Sequence, residues 1–325
     1  MTDLWKEGIR LLISCLIVLA SNQVFGQDTQ RIDQDSIVYQ QEIRFVIDND
    51  VFISLISDSY YSSGLFLHYR HLIRETEKAK MIRSYSLNQR IYTPRKLIWR
   101  DVERYDRPYA GHLSLFASNE YYFRKGRYLK TQVELGWMGP GTQTDDIQTN
   151  WHAILGLPTP RGWQYQIQNS PIVNFYSTYA HTWVAKEKFD LVTESNLALG
   201  TAFNNLRQEV MIRVGKLKSI YRSVHFNGVL GEKVKAGRKN RTIESYLFFS
   251  PGLEYNIYNT TIEGNLLGKE PPHTEDAVRW IWQNKFGFHF SWPSVDWQIF
   301  YYGRGKETRE ARDHGYVGMH LSKRF

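Results

Sequence analysis

Four short polar clusters hold the residues of this chain whose types and spacing suit chemistry. They are Asp48-Asn49-Asp50, the run from Asp58 to Ser62, Ser63 and Gly64, the run from Asp106 to Gly111, and the stretch Leu135 to Asn169. Carboxylate, amide and hydroxyl oxygens around glycine-containing turns are hard ligands, better suited to Ca2+ than to zinc. The same residue types also build ordinary turns, and Asp48-Asn49-Asp50 taken alone reads more readily as one. In the last stretch Asp145, Gln148 and His152 fall at i, i+3 and i+7, so a helix would place them on one face. A lone histidine is usually a solvated loop residue; this one is set apart by its polar neighbours and by the glycines and prolines that flank the stretch. A histidine can take a proton from water near neutral pH. A calcium ion beside it would polarise an ester carbonyl. Together these parts make an esterase without a serine nucleophile, and the chain has no Gly-x-Ser-x-Gly elbow.

Such a site needs its loops held at one end of a rigid scaffold. The sequence supplies strands. Ile37, Tyr39, Ile43, Phe45 and Ile47 alternate with Gln40, Glu42 and Arg44; Leu129, Val133, Leu135 and Trp137 alternate with Lys130, Gln132 and Glu134. Twelve such segments are expected, at 37–47, 63–73, 82–92, 110–124, 127–138, 171–184, 188–200, 206–217, 242–256, 277–291, 294–304 and 313–325. The longer connections 48–62, 93–109, 139–170, 257–276 and 305–312 all follow odd-numbered strands and so share one rim. The segment 218–241 is long yet falls on the opposite rim, and the pattern gives no reason for it. Asp106-Arg107 reads as a salt-bridged loop brace, Trp163 as an interface aromatic and Asn169 as a turn former.

Composition decides what the apolar faces meet. The chain carries 10 Trp, 21 Tyr and 17 Phe, yet its mean hydropathy is −0.47. Apolar faces turned to lipid, a polar lumen and interfacial aromatics fit a transmembrane barrel. Lys6 and Arg10 before Leu11–Ala20, with Val24 and Gly26 ahead of Gln27, read as a signal peptide. Cys15 is the only cysteine and lies in that segment, which excludes disulfides and thiolate metal sites from the mature chain. Without cysteine, and without paired histidines at ligand spacing, a structural zinc site is not expected. The net charge of +8 suits phosphate-bearing partners, but export and the scatter of the basic residues argue against nucleic acid. The expected fold class is all-β: a twelve-stranded antiparallel transmembrane β-barrel with a short helix in an extracellular-rim loop. Its organisation is a signal peptide at 1–26, a polar linker at 27–36 and a single barrel domain at 37–325, acting as a monomer in the bacterial outer membrane.

The motifs DNDVF at 48–52, DSYYSSG at 58–64, IYTP at 91–94, DRPYAG at 106–111, GWMGPGTQTDDIQTNWH at 136–152 and GWQYQIQN at 162–169 together resemble the outer-membrane lipid A 3′-O-deacylase family. The resemblance covers about the first half of the mature chain. It implies a twelve-stranded barrel, Ca2+ as cofactor, and hydrolysis of the 3′-acyloxyacyl group of lipid A. His152 matches the family's general base, and Gln148 a glutamine one helical turn earlier. Asn49 supports the site; Asp50, Ser62 and Gly64 belong to the calcium side, with Ser62 where the family usually has threonine. Two departures stand out. A glutamate six residues after the histidine would fall at Pro158, and a loop lysine has only Arg95, Lys96 and Arg100 as loose counterparts.

The expected partner is lipid A or lipopolysaccharide in the outer leaflet, held in part by basic rim residues. Two other readings remain: a phospholipase A-type acyl hydrolase, and a non-enzymatic barrel or channel. Bulky lumen residues such as Phe66, His68, Arg70, Tyr316 and His320 weigh against an open pore.

Overall fold

The computed structural model describes residues 36–53, 59–235 and 243–325. The signal segment, the linker up to residue 35, Asp58 and the basic run Arg238–Arg241 lie outside them. Twelve antiparallel strands close into a barrel: β1 (Gln41–Asn49), β2 (Tyr60–Glu75), β3 (Ala79–Thr93), β4 (Ala110–Phe123), β5 (Arg127–Met138), β6 (Ser170–Ala185), β7 (Phe189–Gly200), β8 (Phe203–Lys216), β9 (Glu244–Asn259), β10 (Trp280–Ser291), β11 (Val295–Arg304) and β12 (His314–Arg324). Each pairs with its chain neighbours, and β12 pairs with β1 to close the seam. The backbone of Phe325 completes that seam: its carbonyl accepts from the amides of Gln40 and Gln41, and its own amide donates to Gln41.

The first expected strand begins too early. Residues Ser36–Val38 leave the barrel and pair with Lys233–Lys235 in a separate two-stranded sheet. Elsewhere the alternation reads as expected. Val133, Leu135 and Trp137 stand exposed on the outer face, while Glu134 between them is wholly buried. In lipid every backbone polar group needs an internal partner, and only a closed sheet gives strands that. Among the described residues no helix is long and apolar enough to cross a membrane.

The lumen is filled with paired charge. Arg70 bonds Glu42 at 3.0 Å and Glu120 at 3.1 Å, and Arg213 bonds Asp190 at 2.5 Å. Pairing is what makes such burial tolerable, because a buried charge without a partner costs several kcal/mol. The unexplained segment after β8 completes the filling. From Lys218 to Glu232 the chain folds back into the lumen as a plug. Lys80 donates to the carbonyls of Tyr221 (2.7 Å), Gly228 and Leu230 (3.0 Å), and Arg70 to that of Asn227 (2.9 Å). Glu244 accepts from Ser223 and from the amide of Val224. Ile220, Tyr221, Phe226 and Leu230 pack with Ile82, Tyr122, Tyr128 and Met211 of the wall. Parity alone could not reveal this, because the segment enters the barrel at the rim of short turns.

Candidate functional site

The long loops gather on the other rim. The loop after β5 turns at Gly139, whose φ of +97° and whose contact with the Gln168 carbonyl leave no room for a side chain. Its amide donates to the Gly111 carbonyl at 2.9 Å. A Cβ on Gly111 would lie 2.4 Å from Thr142 Oγ1, so this glycine lets the loop seat directly on the start of β4. Helix α1 follows, Thr144–Leu155, and ends at Gly156 in the left-handed region, where the Gly156 and Leu157 amides return to the carbonyls of Ala153 and His152.

The buried face of α1 is Thr144, Gln148 and His152, at i, i+4 and i+8. Asp145, expected on that face, lies half-buried at its edge. Ile147, Trp151 and Ile154, at 43%, 45% and 57% exposed, form an apolar stripe beside that face, while exposed Asp146 and Asn150 lie opposite it. A helix on a water-soluble body would hide these residues and show the polar ones. At the rim of a membrane barrel such an exposed apolar stripe suits contact with lipid.

His152 Nδ1 lies 2.6 Å from the carbonyl oxygen of Pro158. A carbonyl oxygen can only accept, so Nδ1 carries the hydrogen and Nε2 is the basic nitrogen. Gln148 Oε1 accepts from Trp163 Nε1 at 2.9 Å. Trp163 is therefore not an interface aromatic: it is buried, its ring tilted against that of Tyr109 with centroids 4.9 Å apart. Asn169 is more than a turn former. Its Oδ1 accepts from Trp137 Nε1 and from the Gly141 amide, joining the two ends of the loop.

The second group sits on the β1–β2 hairpin. Asp50 and Ser62 are both buried and adjacent, the Asp50 amide donating to the Ser62 carbonyl at 3.1 Å. Asp50 Oδ2 accepts from the Ser59 amide at 2.6 Å, and Asn49 Oδ1 from the Val51 amide at 2.8 Å. Ser62 lies where the β2–β3 register shifts, a bulge that turns it from the regular ladder. Gly64 pairs with Asp48 across the hairpin, and a Cβ there would strike the Tyr61 hydroxyl. Its bareness lets Tyr61 donate to Asp48 Oδ2 at 3.0 Å. The Asp48-Asn49-Asp50 cluster is thus divided, with Asp48 bound to Tyr61 and Asp50 turned into the loop.

A chain of contacts joins the two groups. Tyr60 donates to Asp106 Oδ2 at 2.8 Å, and Asp106 Oδ1 accepts from the Arg95 amide at 3.0 Å. Three residues on, the Tyr109 ring meets Trp163, and the Tyr109 carbonyl accepts from the Ile167 amide. Arg107 is the expected brace, bonded to Glu307 at 2.5 Å and to Thr261 Oγ1 at 2.7 Å. Burial would raise the Glu307 carboxyl, but Arg107 and Arg304 together hold it down to about 2. Tyr60, Trp163 and the Pro158 carbonyl are the parts that motif spacing did not reveal.

The donors on the hairpin are the buried Asp50 carboxylate and Ser62 hydroxyl and the half-buried Asn49 amide oxygen. That set fits a hard cation such as Ca2+ and lacks the nitrogen or sulfur that zinc prefers.

Comparison with known proteins bears on this rim directly. The model of the family described as outer membrane protein LpxR matches residues 11–325. The chain belongs to the LpxR family. Among solved structures it is similar to LpxR from Salmonella typhimurium, with 18% identity, a TM-score of 0.71, and coverage of 87% of this chain and all of that one. That likeness shows a shared fold. An outer membrane channel from Pseudomonas putida F1 (TM-score 0.44, 11% identity, 93% of this chain and 100% of that one) and the β domain of the Bordetella autotransporter BrkA (0.43, 10%, 89% and 99%) are more distant and carry no argument. No curated protein sequence matches. As an LpxR-family member the chain is an outer-membrane β-barrel protein, and its loop-bearing rim is the extracellular one, since such barrels keep their short turns in the periplasm.

Proposed function

We propose that this LpxR-family barrel is a lipid A deacylase: a Ca2+-dependent ester hydrolase that removes the 3′-linked acyloxyacyl group, with His152 as general base. The observation that carries this reading is the pairing of His152 Nδ1 with the Pro158 carbonyl on a helix that exposes the apolar side chains Ile147, Trp151 and Ile154. It fixes the basic nitrogen while the helix rests against lipid.

In the proposed reaction Nε2 takes a proton from a water molecule as that water attacks the ester carbonyl. The C–O bond to the sugar breaks, and the departing sugar oxygen takes the proton back from the imidazolium. The products are a free acyloxyacyl acid, its secondary ester intact, and a free 3′-hydroxyl. Gln148, held by Trp163, fixes the face of α1 that presents the base. Asp50 and Ser62 would hold calcium, with Asn49 shaping the turn beside them and Gly64 permitting the close approach of Tyr61. When bound, calcium supplies electrophilic stabilisation of the developing oxyanion.

Lipid A is favoured over a glycerophospholipid by the basic loop next to α1. Lys96 and Arg100 are exposed, Arg95 is half-buried, and Arg161 of the post-helix segment donates its amide to Leu97 in that loop. These cations suit the lipid A phosphates. The plugged lumen weighs against a channel. Assaying one preparation against both lipids tests the choice: release of acyl chains from glycerophospholipid with lipid A untouched would overturn it.

A further inference from the structure

Three side chains from three neighbouring strands converge inside the lumen near the rim of short turns. His289 of β10, Asp296 of β11 and His320 of β12 offer one ligand atom each. His289 Nε2 and Asp296 Oδ2 are 3.2 Å apart, His320 Nε2 and Asp296 Oδ2 3.4 Å, and the two Nε2 atoms 3.3 Å. His289 and Asp296 are wholly shielded from solvent, and His320 nearly so.

We infer that His289, Asp296 and His320 form a site for a divalent transition-metal ion, with zinc the best fit, inside the barrel and separate from the loop-bearing rim. A tetrahedral ion with bonds of about 2.0–2.1 Å sets its ligand atoms about 3.3–3.4 Å apart, while an octahedral ion with the same bonds sets neighbouring ligands about 2.9 Å apart. The observed triangle matches the first. Two imidazoles and one carboxylate are also the donor types that zinc takes.

The surroundings support the same reading. His289 Nδ1 is 3.0 Å from the Tyr246 hydroxyl, the kind of outer contact that directs the other ring nitrogen at a metal. Asp296 Oδ1, the oxygen turned away from the histidines, is bound by Ser322 and Arg324, each at 2.5 Å. Oδ2 is thereby aimed at the imidazoles. Local charge does not forbid a cation. Arg44 and Arg324 approach Asp296, but Glu42 accepts from both at 3.2 Å. Arg70 is matched by Glu42 and Glu120, so three guanidiniums face three carboxylates. The ion would tie β10, β11 and β12 together beside the seam with β1, with water as fourth ligand.

Sequence spacing hides this site, because strand register brings the ligands together: His289 and His320 both pair with Gln298 from opposite sides of β11. The test uses the untagged mature barrel in detergent, stripped with EDTA, exposed to micromolar Zn2+ and desalted. The expected result is one zinc ion per chain in the wild type and its loss in His289→Ala and in His320→Ala, with heat-modifiable migration confirming folded barrels. Tyr246→Phe should weaken retention about tenfold. Co2+ bound to the wild type should give the strong visible absorption of a tetrahedral ion, a readout that needs no variant. Wild-type barrel without retained zinc, folded alanine variants that hold as much as the wild type, or cobalt with only weak octahedral bands would each overturn the site.

Discussion

The Nδ1 atom of His152 lies 2.6 Å from the carbonyl oxygen of Pro158, six residues along the chain. The family resemblance expects a glutamate side chain at this position. Here the backbone itself receives the hydrogen and sets the tautomer. With proline at 158 the side-chain carboxylate is absent, and the imidazole hydrogen goes to the backbone carbonyl of that residue. Pro158→Ala keeps that carbonyl and should hold lipid A deacylation within about fivefold of wild type, a change of about 1 kcal/mol. His152→Ala in the same assay should lose about 10²–10⁴-fold. A collapse of activity in Pro158→Ala equal to that of His152→Ala would mean that the proline ring matters and the carbonyl does not.

Trp163 holds Gln148 by a buried hydrogen bond of 2.9 Å. Trp163→Phe keeps the ring and removes the donor, leaving the Gln148 oxygen without it at a cost of about 1–3 kcal/mol. Deacylation should fall roughly tenfold or more while the barrel stays heat-modifiable. Gln148→Ala should cost a similar amount, and the double variant little beyond either alone. Fully additive losses would show that the two residues act independently.

Much of this architecture is legible in the sequence, and the reasons differ by element. All twelve strands are readable because lipid outside and polar pairs inside force a strict period of two, as at Leu129–Trp137. Helix α1 is readable from polar spacing, but its buried face shifts from Asp145 to Thr144, because the Gly111 cradle receives Thr142 and Thr144. Residues 218–232 gave no such signal. A plug obeys the shape of its lumen and follows no period. Trp163 misled because the same amphipathic side chain serves an interface or a buried hydrogen bond, and only the partner Gln148 tells them apart.

The proposed calcium side makes a graded claim about the hairpin. Asp50→Asn neutralises the buried carboxylate of the residue that bonds the Ser62 backbone, so half-maximal activity should require roughly tenfold more calcium or beyond, about 1.4 kcal/mol of lost affinity. Ser62→Thr keeps the hydroxyl and should behave as wild type; Ser62→Ala should resemble Asp50→Asn. Calcium titrations that coincide for all four proteins would remove these residues from the metal.

Glu307 links pH to the stability of the rim. Burial opposes its ionisation, yet Arg107 and Arg304 hold its carboxyl at about 2, against an ordinary value of 4.5. A depressed folded-state value means the contribution is fully present above about pH 4.5 and lost as the pH falls towards 2. Its size is on the order of 3 kcal/mol. Urea unfolding in detergent should find Glu307→Gln less stable than wild type at pH 6, with the gap closing towards pH 3. A gap of constant size would contradict the coupling.

Mass spectrometry of lipid A from expressing cells decides whether His152 activates water for calcium-dependent hydrolysis of this lipid. Wild type, His152→Ala and an empty control are compared with calcium present and after chelation. Loss of the 3′-acyloxyacyl mass is expected only for wild type with calcium. The same loss in His152→Ala, or in chelated wild type, would contradict it.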